Sequence, residues 1–208
     1  MNEKTIRNQI TKIEQELKTN PGNPDLIHDL GVGYYLLGKY VNSIIQLKKA
    51  IKLSPGKVSY HFNLGVSYGE NEQYDMAIQT YLTALDIDPN HIPSLNNLAD
   101  CYEMTGDDEK AHEIFHYLIR LAPSNALTHF NLGNFFLRKN QHIDAAKCYE
   151  KTLELDSEFT DAFYNIAWIL KESKAYKNAL EYAEKGLGTD PNHEDLKSIS
   201  AELRNYIR

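Results

Sequence analysis

The chain has 208 residues, 42% of them hydrophobic and 25% charged, with 14 tyrosines and 7 phenylalanines. That is apolar surface enough for one medium domain or a short repeat array, and it excludes a disordered tail. The formal charge of −7 argues against nucleic acid or an anionic membrane as partner, since binders of either carry the opposite excess.

The first predicted element lies in residues 2–20, where Ile6, Ile10, Ile13 and Leu17 form an apolar stripe at helical spacing. Pro21 stands one period before Pro55, which gives this helix the register of the second helix of a repeat whose first helix is missing. Gln9 and Glu16 replace the small residues expected in that register, as suits a helix with no neighbour before it. Five units follow at 24–57, 58–91, 92–125, 126–159 and 160–192, each holding two apolar-periodic stretches of about 14 residues, a helical length. In the first unit these are Asp25–Leu37 and Val41–Leu53, with Gly38 between them. Gly106 fills the same slot in the third unit, where glycine permits a tight reversal. Residues 193–208 carry Leu196, Ile199, Leu203 and Ile207, a last stripe that reads as a capping helix.

Several registers agree on one period. Pro21, Pro55, Pro89 and Pro123 are 34 residues apart, and Pro191 follows 68 later. Leu30-Gly31, Leu64-Gly65 and Leu132-Gly133 keep the same interval, with Leu98-Ala99 and Ile166-Ala167 in the other slots. Tyr34, Tyr68, Tyr102, Phe136 and Leu170 come three residues on, then Ser43, Ala77, Ala111, Ala145 and Ala179, then Leu47, Tyr81, Phe115, Tyr149 and Ala183. This pattern resembles the tetratricopeptide repeat family, whose unit is an antiparallel helix pair. The slot usually held by tryptophan differs, carrying Ile27, His61, Leu95, His129 and Phe163. Ala183 and Gly186 make the fifth unit's second helix the one expected to pack least well. The resemblance implies an all-α, right-handed α-solenoid of five full repeats with a helix at each end, forming a single domain over 1–208.

Catalytic chemistry has little support in the sequence. Cys101 and Cys148 are too few for a disulfide framework or a four-ligand zinc site, and they read as covered thiols. No phosphate-cradling loop or nucleophile elbow appears. His112-Glu113-Ile114-Phe115-His116 spells H-E-x-x-H, which on a helix can hold zinc beside a general base. The repeat register instead makes Phe115 a core ring, His112 a half-buried packing residue and His116 a solvated flank, and no third-ligand signature follows. A zinc-dependent enzyme is thus a remote alternative; the expectation is no enzyme, no cofactor and no metal. No apolar run reaches the roughly 20 residues of a membrane span. Residues 1–20 are too polar for a signal peptide. A cytoplasmic setting without membrane insertion is expected.

The resemblance implies that first helices line a concave groove. Counting each unit from Pro24, Val58, Ile92, Ala126 and Thr160, positions 2, 5, 6 and 9 share one face. Position 6 reads Asp29, Asn63, Asn97, Asn131 and Asn165. A side-chain amide both donates and accepts, so the row suits the backbone of an extended peptide. Phe62, Phe130 and Tyr164 at position 5, with Asn134 and Trp168 at position 9, are expected to border the groove as anchors. Asp25, Asp29, Glu70 and Asp100 make its charge acidic, with Arg138 and Lys171 the main exceptions. No frame supplies the paired cations that a clamp for acidic tails requires. The expected function is a protein–protein interaction scaffold or adaptor holding a neutral-to-basic extended segment of a protein or peptide partner. The alternative is a self-assembling homo-oligomeric scaffold.

Overall fold

The structure, a computed structural model, describes residues 2–207; Met1 and Arg208, the limits of the expected domain, lie outside the described residues. Among the described residues there are twelve α-helices and no strand. Helix α1 spans Glu3–Thr19, α2 Pro24–Leu36, α3 Tyr40–Leu53, α4 Val58–Glu70, α5 Tyr74–Ile87 and α6 Ile92–Met104. They are followed by α7 Asp108–Leu121, α8 Ala126–Arg138, α9 His142–Leu155, α10 Thr160–Glu172, α11 Tyr176–Thr189 and α12 Glu194–Ile207. The architecture is that of an all-α helical-repeat solenoid, and the chain divides into two compact units, 1–118 and 119–208.

Local chemistry explains the alternation of helices. Side chains cap several even-numbered helices: Asn23 accepts from the amides of Asp25 and Leu26, and Asn125 from that of Thr128. Pro24 and Pro93 sit in the first turn of their helices, where no amide donor is needed. Helices α3, α5, α9 and α11 have no side-chain cap. Each follows a tight reversal instead. At the first, the Gly38 amide donates to the Tyr35 carbonyl (2.8 Å) and the Lys39 amide to that of Tyr34 (2.9 Å), a Schellman closure that satisfies the ending helix.

In unit 1, Leu47, Leu64, Tyr68, Ala77, Ile78, Tyr81, Leu98 and Cys101 form the main core, contributed by α3 to α6. Ile6 and Ile10 of α1 bury against Leu30 of α2, and Ile13 and Leu17 pack beside them. In unit 2, Ala145, Tyr149, Ala162, Ile166 and Ile169 form one core, and Ala167, Ala179, Ala183, Leu196, Ile199 and Leu203 another.

Three of the deepest rings lie on second helices, where the repeat register already makes Phe115 a core ring. Tyr81, Phe115 and Tyr149, on second helices, are 2%, 0% and 0% exposed, whereas Tyr34, Tyr102 and Phe136 are only half-buried. The glycine opposite each buried tyrosine is the reason. A Cβ at Gly65 would lie 2.5 Å from the Tyr81 ring, and one at Gly133 2.6 Å from the Tyr149 ring. The missing side chain is the notch that the ring fills. Helix α11 also departs from expectation: its Ala179 and Ala183 are fully buried, and Leu196 of α12 closes to 2.7 Å of where a Gly186 Cβ would stand.

Candidate binding surfaces

The position-6 row begins with Asp29, which is exposed and accepts from the Nδ1–H of His28 (2.9 Å). That carboxylate fixes the His28 proton on Nδ1, so Nε2 is an acceptor. Asn63 Nδ2 donates to it at 2.8 Å. Asn97 Nδ2 donates to the Tyr81 hydroxyl at 3.1 Å. In unit 2, Asn134 Oδ1 accepts from the Tyr149 hydroxyl (2.8 Å) and from Asn165 Nδ2 (3.3 Å). Asn131 is half-buried on α8. The amides therefore differ from the open donor–acceptor pairs expected. The donor ends of Asn63, Asn97 and Asn165 are turned to the preceding repeat, because buried tyrosine hydroxyls and the His28 lone pair need partners there. The Oδ1 atoms of Asn63 and Asn97 accept no hydrogen bond among the described residues.

The position-5 and position-9 rings are likewise half-buried packing groups rather than open anchors. Phe62 meets the ring of His91 edge-on at 5.4 Å, Phe130 that of Phe159 at 4.6 Å, and Tyr164 stacks on His193 at 6.1 Å. Each partner lies 29 residues on, at the entry to the next first helix. Trp168 borders both cores of unit 2 and meets His142 edge-on at 5.7 Å. These rings wedge one repeat against the next and present only their margins to solvent. Position 5 of the third unit, Asn96, is itself buried, with Nδ2 donating to the Ile92 carbonyl.

Two open clefts of unit 1 contain members of the position-6 row. One, of about 380 Å³, is walled by Val66, Met104 and Cys101 and holds Asn97 together with Glu70, Glu72 and Asp100. The other, of about 410 Å³, lies along α1 and α2 and holds Asp29 among Ile13, Leu26, Val32 and Leu36. Sequence reasoning did not find Glu72 or Met104. Met104 is the last residue of α6, and Glu72 lies in the turn between α4 and α5.

Several charges outside the clefts are paired within the fold. Asp25 is held by Lys57 and by the Tyr60 hydroxyl, which keep its carboxyl below the usual range. Lys171 reaches Glu202 of α12 at 2.9 Å, and that bond raises its pKa. Burial pushes the Cys101 thiol up to about 12 and the Cys148 thiol to about 11, so neither is a nucleophile at neutral pH. Among the described residues, no three His, Cys, Asp or Glu side chains converge on a metal position, and no helix is long and apolar enough to cross a membrane.

Residues 95–202 match the family described as the middle TPR-like domain of cilia and flagella-associated protein 70. Residues 57–116 and 31–72 match further tetratricopeptide repeat families. Among curated proteins, the TPR repeat-containing protein MJ1428 of Methanocaldococcus jannaschii is 24% identical over 47% of this chain, a stretch that spans 20% of that protein. Human protein O-mannosyl-transferase TMTC3 is 29% identical over 41% of this chain but only 9% of its own length. Three solved structures share the fold. Pseudomonas aeruginosa pilF has a TM-score of 0.74 at 22% identity, covering 88% of this chain and 84% of its own. Cut9–Hcn1, an APC/C hetero-tetramer, has a TM-score of 0.74 at 15% identity, covering 96% of this chain and 40% of that one. YrrB, a TPR protein with an unusual peptide-binding site, has a TM-score of 0.59 at 16% identity, covering 89% and 96%. The 34-residue period, the helix pairs closed on a glycine notch and the family matches agree: the chain belongs to the tetratricopeptide repeat family.

Proposed function

We propose that this chain is an interaction scaffold that holds an extended, neutral-to-basic segment of a partner protein along its first-helix faces. The observation that carries this reading is the cleft around Asn97. An amide oxygen with no partner stands among Glu70, Glu72 and Asp100, between the apolar walls of Val66 and Met104. A backbone N–H can reach that oxygen, a lysine or arginine side chain suits the carboxylates, and its methylenes suit the walls. Because one Nδ2 hydrogen of Asn63 and of Asn97 is engaged within the fold while each Oδ1 is open, these two amides favour ligand N–H groups over ligand carbonyls. Phe62 contributes a ring margin in unit 1; in unit 2, Phe130, Tyr164 and Trp168 contribute ring margins, and Asn131, Asn134 and Asn165 contribute polar edges. The peptide-binding site of YrrB, in a protein of the same fold, agrees with this use. A cytoplasmic setting fits two thiols with no disulfide partner.

The test is affinity for several basic peptides against the Asn97→Ala/Asn131→Ala double variant. Each lost hydrogen bond should weaken every peptide by about 1–3 kcal/mol, alike across side-chain sequences, with helicity kept. N-methylation of the ligand amide that meets Asn97 should mimic the Asn97 change. If the double variant binds every peptide as the parent does, the row is not the binding surface.

A further inference from the structure

His112 and His116 of α7 are one helical turn apart and lie on the same side of the helix. Their Nε2 atoms are 3.0 Å apart, with ring centroids at 4.3 Å and planes at 84°. His116 is exposed and His112 half-buried. Two imidazole nitrogens bound to one metal, each at about 2.0–2.1 Å and separated by an angle of about 90–109°, stand roughly 2.8–3.4 Å apart. The helix thus already holds the two nitrogens at the bite distance of a chelate. Exposed Glu109 and Glu113 each stand three residues before one of the histidines, adding negative potential on that flank.

We propose that His112 and His116 form a two-point chelate for a late divalent transition metal, with Cu2+ bound most tightly. In the hydrogen-bonded pair, one Nε2 donates and the other accepts. A metal needs both Nε2 lone pairs, so the donor ring gives up its Nε2 proton, to its other nitrogen or to solvent, as the metal binds. Magnesium and calcium, which take oxygen ligands, are excluded by the donor set. With two protein ligands, the other positions go to water or to a donor on another molecule, so this is a docking metal rather than a hydrolytic centre. The pair lies on a second helix, and the proposal stands independently of the peptide surface on the first helices.

The test is titration of the full chain with Cu2+ alone and with Zn2+ alone, by calorimetry and, for copper, by electron paramagnetic resonance. One equivalent should bind with two equatorial imidazole nitrogens, and Zn2+ should raise the melting temperature. His116→Gln, at an exposed site, should weaken binding about tenfold or more, because the second contact no longer benefits from its high effective concentration. A second variant, His116→Gln with Glu113→His, keeps the total of eight histidines but sets the two of α7 at adjacent positions, and it should stay as weak. Absence of a bound equivalent, or unchanged affinity in either variant, would overturn the proposal.

Discussion

Five residues spaced 34 apart share a left-handed backbone: Gly38, Glu72, Gly106, Asn140 and Lys174, with φ of +69°, +58°, +83°, +58° and +61°. The reversal between paired helices demands this conformation whatever residue fills the slot. Glycine adopts it freely, whereas a side chain costs about 1–2 kcal/mol there. Lys174 is exposed and makes no side-chain hydrogen bond that would offset that cost. Lys174→Gly should therefore stabilise the protein by about 0.5–1 kcal/mol, the relief of strain less the greater entropy that glycine loses on folding. Denaturant melts of parent and variant measure it; a lower midpoint in the variant would refute it. Two of the five positions, Gly38 and Gly106, could be read from the sequence. Asn140 is of a type that tolerates positive φ, whereas Glu72 and Lys174 carry no local sign of it.

The unlike helices of a pair do different work. First helices carry the glycine notches and the amide row; second helices supply the rings that fill the notches. Where the second helix has alanine or glycine in place of the ring, as α11 does, the neighbouring helix α12 moves in: Leu196 and Leu203 are fully buried. The weak packing expected of α11 is thereby made good by its neighbour. At the other end, α1 covers Leu30 and Tyr34 with Ile6, Ile10, Ile13 and Leu17. Burying such side chains is worth about 1.5–3 kcal/mol each at full burial, and two of the four are only half-buried. Deleting residues 2–19 should thus lower stability by several kcal/mol, about 3–6, and promote aggregation through the bared face of α2. Unchanged melting and solubility in the truncated chain would show that α1 contributes nothing to unit 1.

Each unit buries a tyrosine hydroxyl that makes the fold sensitive to alkali. Tyr81 in unit 1 and Tyr149 in unit 2 have pKa values raised well above the ordinary range, chiefly by burial. Cys101 and Cys148 are raised for the same reason, to about 12 and about 11. In every case the folded state favours the neutral form. Their contribution is fully present below the unfolded pKa values, about 8.5 for cysteine and 10 for tyrosine. It is lost as pH rises toward the folded values, since the unfolded chain releases protons that the native state retains. Stability should fall from about pH 9 upward. Two tyrosines should ionise only with unfolding, visible as a late, cooperative step in tyrosinate absorbance. A single smooth titration of all 14 tyrosines with the fold intact would contradict it.

The family, the helix positions and their alternation were legible in the sequence, because they rest on local chemistry repeated at a fixed interval. Apolar spacing sets each helix, the recurring prolines mark where the pairs end, and the Leu-Gly pair marks where a partner helix approaches. The repeat register already put Phe115 in the core, but the tertiary structure alone decided how deep the other rings lie, which way the asparagines face, and how close the two imidazoles of α7 come. Asn63 meets His28 across 35 residues and Asn165 meets Asn134 across 31. Those partners come together only when one repeat stacks on the last, and helical spacing within a single repeat carries no record of them. The same stacking turns Phe62, Phe130 and Tyr164 from expected anchors into wedges, since the entry to each following helix falls against their faces.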